Sequence, residues 1–530
     1  MTLSSSPPAA QDVDLITALA HDLADADFTH HGVAQVLGPE AVSALDREQV
    51  VPGQLRILES PEQACAVLTA LWLVSLEVTA EQVDAALPRT GAAGLQQLGL
   101  ITRRSDSEVA PLVDLRPYQV ETRAGTRDMW VTSDLSAHQV AGPLPHDHVL
   151  GVGQASLTLA SITHRRPVRT GLDIGTGCGI QLLHLLDHCE HVTGTDLSAR
   201  ALEFARFNLV LNASALGLDP EHLQDRVELV QGSLLEPVAG RRFDLVVSNP
   251  PFVITPRSPQ ETETDRYTYR DGGRQGDELM GELITELPGV LAAGGTAQML
   301  GNWEVPRGAA HWWQRPKAWV EQADLEAWFI QRDVQTPAEY AETWLRDASE
   351  ERSIDQYRRR YADYLRDFAQ REVDQIGFGL IWLRRRDHQQ RWQHFEEITG
   401  EVQQPLGPVI GDVVDRAAAV LQQPDQVLNT ALVTAVDVTE ERYQRFGAAH
   451  PEVIFARQGA GLRRSRPISS AAAGFLAAAD GEYTASQLIT AVCSLTDAAE
   501  DQLRAEVLEL YQDGFIEPAS AGQTPSSSHI

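Results

Sequence analysis

Short apolar runs alternating with amphipathic stretches occupy the middle of this chain. Between Val168 and Arg384 the pattern predicts strands at 168–174, 191–195, 226–231, 243–247, 296–300, 327–330 and 377–383, with helices between them. Seven strands threaded by helices are the signature of a parallel α/β sheet. A helical stretch over 337–371 interrupts the last two strands, and Gly377-Phe378-Gly379 opens a final strand that can enter antiparallel.

The flanks read differently. Over 14–100 the spacing is helical, as in Ala64, Val67, Leu68, Leu71 and Val74, with a new helix start at Thr79. Extended segments follow at 108–120 and 129–132, so helices lead into a hairpin, as in a winged-helix-like module over 13–125. After about residue 400 the chain turns helical again. Helices are expected at 469–478, 484–493 and 496–511, with a turn at Asp480-Gly481 and a short strand at Phe515-Ile516, a second winged-helix-like module over 399–519. The α/β domain then covers 126–398. Residues 1–12 and 520–530, rich in Ser, Pro and Ala, are expected to be solvated tails.

Composition narrows the class. With 43% hydrophobic and 22% charged residues the chain is globular, and its 530 residues exceed one core. A net charge of −31 repels phosphate backbones and weighs against bulk nucleic-acid binding. Small basic clusters at Arg358 to Arg360, Arg384 to Arg386, and Arg463, Arg464 and Arg466 read as surface charge on helices and strand ends. The four cysteines form no CxxC pair, which points to a reducing cytoplasm rather than a disulfide framework or zinc site. No apolar run approaches the ~20 residues needed to span a bilayer, so neither secretion nor membrane insertion is expected.

Two loops carry candidate chemistry. Leu172-Asp173-Ile174-Gly175-Thr176-Gly177-Cys178-Gly179 takes the first strand into a glycine-rich turn, where backbone N–H groups are open to a ligand. Asp196 closes the next strand, followed by Leu197, where a carboxylate can receive both hydroxyls of a ribose. The G-x-G-x-G spacing departs from the dinucleotide pattern. It resembles the first motif of class I S-adenosylmethionine-dependent methyltransferases, which places Asp173 near the methionine amino group of S-adenosylmethionine. The loop after the third strand usually offers these enzymes an acid for the adenine amino group. Here Ser233 stands in that place, with Leu234 to pack on adenine.

The second loop, Asn249-Pro250-Pro251-Phe252, follows the fourth strand at the edge where ligands bind in open α/β sheets. A planar amide or aromatic amine is a poor nucleophile, because its lone pair is delocalised. Asn249 and the Pro250 carbonyl can accept its N–H groups, the prolines stiffen the loop, and Phe252 offers a face. This block is similar to the enzymes that methylate adenine N6 or guanine N2 and to release-factor glutamine methyltransferases. Val253 to Pro256, Asp271 to Gly276 and Leu291 to Gly295 look like the archaeal and eukaryotic glutamine branch. Phe252, in contrast, is more typical of guanine enzymes than the usual tyrosine. The resemblance implies a Rossmann-like methyltransferase using S-adenosyl-L-methionine on a protein glutamine, such as that of a translation factor. The alternatives are an RNA or DNA base, and a binding protein that retains the fold without catalysis.

Two further patterns are read structurally. His146-Asp147-His148 lacks a third ligand cluster and is taken as a loop with no metal, leading through Gly151 and Gly153 to Ser156 over the cofactor. Trp303, Trp312, Trp313 and Trp319 are taken as packing rather than a base-stacking platform.

Overall fold

The computed structural model describes residues 6–59, 63–105, 107–136, 139, 144–145, 147–257, 270–347, 353–386 and 390–519. The chain forms two compact units. Met1–Ala160, Arg166–Leu325 and Asp333–Arg386 make the first, and Ser161–Arg165, Glu326–Arg332 and Asp387–Ile530 the second.

In the first unit, β1 (Val168–Ile174), β2 (Cys189–Asp196), β3 (Val227–Gln231), β4 (Phe243–Ser248), β5 (Leu291–Pro306) and β6 (Val373–Arg385) share a sheet in the order β6-β5-β4-β1-β2-β3. β1 to β5 run parallel, and β6 lies antiparallel on β5. Leu245, Val246 and Val247 of β4 are at most 1% exposed. Successive strand residues point to opposite faces, so this run is covered on both sides, as a parallel sheet requires. β5 extends well past the expected 296–300, because the buried run continues through Trp303 and Val305. β6 likewise begins at Val373 rather than Gly377.

Ahead of the sheet, Ala64–Trp72 buries every residue from Cys65 onward, and Thr79 caps Ala80–Ala86 in a reciprocal box with Gln82. Val78–Thr79, Glu108–Pro111 and Ile101–Arg103 form a small sheet, followed by a hairpin of Asp114–Thr122 and Gly125–Ser133. The expected module boundary at 125 falls at the start of that hairpin's second strand. The hairpin is instead held by the helix Ala199–Leu211 and its C-cap. Thr132 N–H donates to Asn208 Oδ1 (2.8 Å), and Asn208 Nδ2 donates to the Thr132 and Cys178 carbonyls (2.9 and 2.8 Å). Asn212 repeats the exchange with the Trp130 backbone (2.8 and 2.7 Å). Two buried amides thus pair with the strand as a neighbouring strand would. Nor is all of 1–12 a solvated tail: 1–5 lie outside the described residues, but Ala9 N–H donates to the Leu98 carbonyl (2.9 Å) and Ala10 is buried.

The tryptophans pack. Trp303 is fully buried and stacks on Trp312 with centroids 5.4 Å apart, while Trp313 stacks on His311 at 4.6 Å.

The second unit is less helical than its sequence reads. The strand Leu325–Gln335 pairs in parallel with Gln393–Glu397 through residues 327–331. Val438–Tyr443, Val453–Gln458 and Ser465–Ile468 form an antiparallel sheet, and Ala431–Thr434 lies between Asp480–Thr484 and Ile516–Pro518. Asp480-Gly481, expected as a turn, therefore opens a strand. These strands escaped the sequence reading because Val438–Tyr443 is polar and mostly solvated, without an alternating apolar face. The helix expected from Thr496 starts at Glu500. Helices Ser470–Ala478, Ala485–Leu495 and Glu500–Asp513 close on Phe475, Ile489, Val507 and Phe515.

The cluster Arg463, Arg464 and Arg466 is not free surface charge. Arg464 is buried on Glu396 (2.8 Å) and stacks over Trp328, Arg466 pairs with Asp513 and Glu509, and Arg463 meets Glu401. Burial alone would raise the Glu396 carboxyl, yet Arg464 and His394 hold it well below the usual carboxylate range.

Asn208→Ala strands one N–H and two carbonyls in the interior, where an unpaired polar group costs about 1–3 kcal/mol. Urea denaturation of this variant is expected to show a loss of about 3 kcal/mol. A parent-like midpoint would mean that the hairpin does not depend on the helix.

Candidate active site

At the carboxyl ends of β1, β2, β3 and β4 a cavity of about 450 Å³ opens within the first unit. Asp173, Gly175, Thr176, Gly177, Asp196, Leu197, Ser233, Leu234, Asn249 and Pro251 line it. Gly179, Pro250 and Phe252 do not: Gly179 opens the helix Ile180–Leu185 against Ala205, Pro250 is buried, and Phe252 stands edge-on to Trp344 with centroids 6.3 Å apart.

The glycine loop is shaped by the two acids. Gly175 and Gly177 take positive φ (72° and 56°), and a Cβ on either would project into open space. Asp196 takes the Gly177 N–H on one oxygen (2.9 Å) and the Ser198 N–H on the other (2.8 Å), so one carboxylate fixes the loop and the start of the following helix. Partial burial raises its pKa, opposed by those backbone donors. Asp173 is almost completely enclosed and accepts the Thr176 hydroxyl at 2.6 Å. Burial pushes its carboxyl up to about 7. At the rim, Leu197 is exposed, and Leu234 holds φ 48°, an uncommon value for a non-glycine residue.

In the second loop, Asn249 Oδ1 is buried and has no hydrogen-bond partner among the described residues. Its loop is tied on several sides: Phe252 N–H donates to the Pro250 carbonyl (2.7 Å), Val253 N–H to Arg270 (2.9 Å), and Gly272 N–H to Pro251 (3.1 Å). The Pro250 carbonyl, named above as an acceptor for the target nitrogen, thus already takes one donor.

Other parts of the lining were not among the predicted site residues. Asp271, Gly272, Gly273 and Arg274 form one wall, where Asp271 receives the Gly273 N–H (2.8 Å) and pairs with Arg257. Gly272-Gly273 was the sequence signal for that wall. Asp147 to Gly151 and Ser156 form another, pinned by Cys178 Sγ on the Leu150 carbonyl (3.1 Å) and Gln181 on the Ser156 carbonyl (2.9 Å). Gln181 itself also lines the cavity. Of the His146-Asp147-His148 motif, His146 lies outside the described residues. His148 sits 3.7 Å from Asp134, with burial lowering its pKa. Among the described residues no group of three or more His, Cys, Asp or Glu could hold a metal ion.

Residues 150–264 match the family described as methyltransferase small domain, and residues 25–112 match a domain of unknown function, DUF7059. The release factor glutamine methyltransferase of Bradyrhizobium diazoefficiens is 32% identical over 252 residues, 45% of this chain and 80% of that protein. The chain belongs to that family of methyltransferases. The release factor glutamine methyltransferase of Agrobacterium fabrum is 30% identical over 184 residues, 33% of this chain and 60% of that protein. A putative protein N5-glutamine methyltransferase of Methanocaldococcus jannaschii is 28% identical over 130 residues, 24% of this chain and 59% of that protein. The chain therefore spans less than two thirds of these last two relatives. A solved methyltransferase from Thiobacillus denitrificans in complex with S-adenosyl-L-homocysteine is 18% identical, covers 47% of this chain and 95% of that one, and has a TM-score of 0.25.

Asp173 gives this methyltransferase cavity a pH signature even without ligand. Its folded pKa of about 7 lies above the ordinary 3.8, so the folded state keeps a proton that the unfolded chain gives up. Stability contributed by this group is therefore full at acid pH and lost as pH rises through 7. Asp173→Asn is expected to be more stable than the parent at pH 8, by up to about 4 kcal/mol, and equal to it near pH 4. Thermal melts across that range check this, and a difference independent of pH would refute it.

Proposed function

We propose that this chain transfers a methyl group from S-adenosyl-L-methionine to the side-chain amide nitrogen of a glutamine in a protein. The observation that carries the reading is the buried, unpartnered Asn249 Oδ1, in one cavity with the glycine loop and Asp196. An orphaned acceptor costs free energy unless a ligand supplies the missing donor, and an amide N–H is such a donor.

The residues fit the methyl donor. When bound, it supplies an electrophilic methyl carbon on a sulfonium. Asp196 receives the ribose hydroxyls with the lone pairs left after Gly177 and Ser198, and Leu197 and Leu234 flank the adenine, with Ser233 as its polar neighbour. Asp173 faces the methionine amino group, whose positive charge favours the ionised carboxylate. Gly175, Thr176 and Gly177 let the backbone approach, and Gly179 opens the helix behind them. Asn249 takes an N–H of the target amide, the Pro250 carbonyl just behind the lining can take the other beside the Phe252 N–H it already holds, Pro251 stiffens the loop, and Phe252 braces it from outside the cavity against Trp344. Alignment and fixed dipoles then supply most of the rate, with no metal and no covalent nucleophile.

A translation factor or ribosomal protein is the natural class of partner, since the relatives are named for such substrates. The pairing of Arg463, Arg464 and Arg466 with acids weighs against nucleic acid. We take the flanking modules as winged-helix-like. The four cysteines are free, and no helix among the described residues is long and apolar enough to cross a membrane. A reducing cytoplasm suits such an enzyme.

Asn249→Ala removes the acceptor and leaves the glycine loop and Asp196 intact. Cofactor affinity by calorimetry is expected to stay within about twofold, while single-turnover methylation of a glutamine peptide falls a hundredfold or more, roughly 3 kcal/mol. Parent-like methylation by this variant would reduce the loop to a structural turn and end the reading.

A further inference from the structure

The helical insert between Gln335 and Val373 is built from Pro337–Asp347 and Ile354–Gln370. Its buried side forms an aromatic cluster of Tyr340, Leu345, Tyr364 and Phe368 that takes in Ile254, five residues beyond Asn249. Three contacts run from the first helix to the acceptor loop. The Tyr340 hydroxyl accepts the Ile254 N–H at 2.8 Å, the Trp344 ring stands edge-on to Phe252, and the Trp344 carbonyl accepts from Arg270 at 3.0 Å. Arg270 in turn accepts the Val253 N–H on its own carbonyl.

The Tyr340 hydroxyl also takes Asn302 Nδ2 from β5 at 3.0 Å, so it bridges the sheet and the loop. Tyr340 is fully buried, and burial raises its pKa well above the ordinary tyrosine value, so the hydroxyl stays protonated and neutral. A loop leaving a strand has no ladder partner for its N–H groups, and Ile254 is buried. Only a fixed acceptor can satisfy it.

We infer that the insert sets the acceptor loop, with Tyr340 as a positioning residue that holds Asn249-Pro250-Pro251-Phe252 through Ile254, and Trp344 as the residue that fixes the angle of Phe252. The inference rests on the reading of Asn249 as the acceptor-binding residue. It assigns a role to a segment that carries none of the methyltransferase motifs. The glycine loop and Asp196 make none of these contacts, so the insert acts on the acceptor and not on the methyl donor.

The test uses the full chain with Tyr340→Phe, which keeps the ring and deletes the hydroxyl, and with Trp344→Leu, at a half-exposed position less demanding of the fold. Amide hydrogen exchange is read over 249–257 and, as internal control, over 173–181. Tyr340→Phe is expected to exchange at least tenfold faster over 249–257 and like the parent over 173–181, with S-adenosylmethionine affinity within twofold. On a glutamine peptide its kcat is expected to fall at least tenfold, while Trp344→Leu mainly raises the peptide KM, by about threefold to tenfold. Parent-like exchange over 249–257 in Tyr340→Phe would overturn the inference, as would loss of cofactor binding together with turnover. If the parent methylates no glutamine peptide, the proposed activity fails, and the exchange result still decides the role of Tyr340.

Discussion

The carboxylate of Asp196 is the contact on which the donor side of this protein turns. A strand that ends in a glycine loop leaves N–H groups pointing at the sheet edge with no partner in the ladder. Asp196, at the end of the adjoining strand, takes one of them from Gly177 and another from Ser198. A negative group with two fixed donors keeps the loop open at Gly175 and Gly177, where side chains would occupy the cavity. Asn208 then ties the same loop, through the Cys178 carbonyl, to the hairpin strand at Thr132. The amino-terminal part of the chain is thus connected to the donor site by buried amides rather than by apolar contact alone.

The acceptor side is built on the opposite principle. There the loop is held by groups outside it: the Val253 and Ile254 N–H groups donate to Arg270 and Tyr340, the Pro251 carbonyl accepts from Gly272, and among the described residues one side-chain acceptor is left over at Asn249. A loop tied on its other sides leaves Asn249 Oδ1 as a rigid, desolvated hydrogen-bond acceptor. Such preorganisation favours one planar donor over many, because water cannot be accommodated as freely as a matched amide.

Charge is distributed in keeping with this division. The chain is strongly acidic, yet several of its arginines are drawn onto acids of the interior: Arg464 onto Glu396, Arg315 onto Asp277, Arg257 onto Asp271. Buried guanidinium groups need such partners, since leaving either member alone costs about 3–5 kcal/mol. Basic clusters that read as surface charge in sequence are consumed in part by this pairing.

The sequence by itself determined the strands of the central sheet and the two loops between them. Buried apolar residues mark β1, β2 and β4, and the spacing around Asp173, Asp196 and Asn249 is local, so it survives in one dimension. Also legible were the capped helix at Thr79 and the helical insert, each set by neighbours a few residues apart. Only the tertiary structure decided the rest. It turned Phe252 away from the cavity onto Trp344, brought Asp271 to Arg274 into the wall, gave Asn208 and Asn212 the hairpin as partner, and made polar strands of Val438–Tyr443 and its neighbours. The physical reason is the same in each case. These outcomes depend on which distant group satisfies a buried donor or covers a ring, across separations of 14 residues for Arg257 and Asp271, 86 for Ile254 and Tyr340, and 76 for Thr132 and Asn208, and no periodicity records such a pairing.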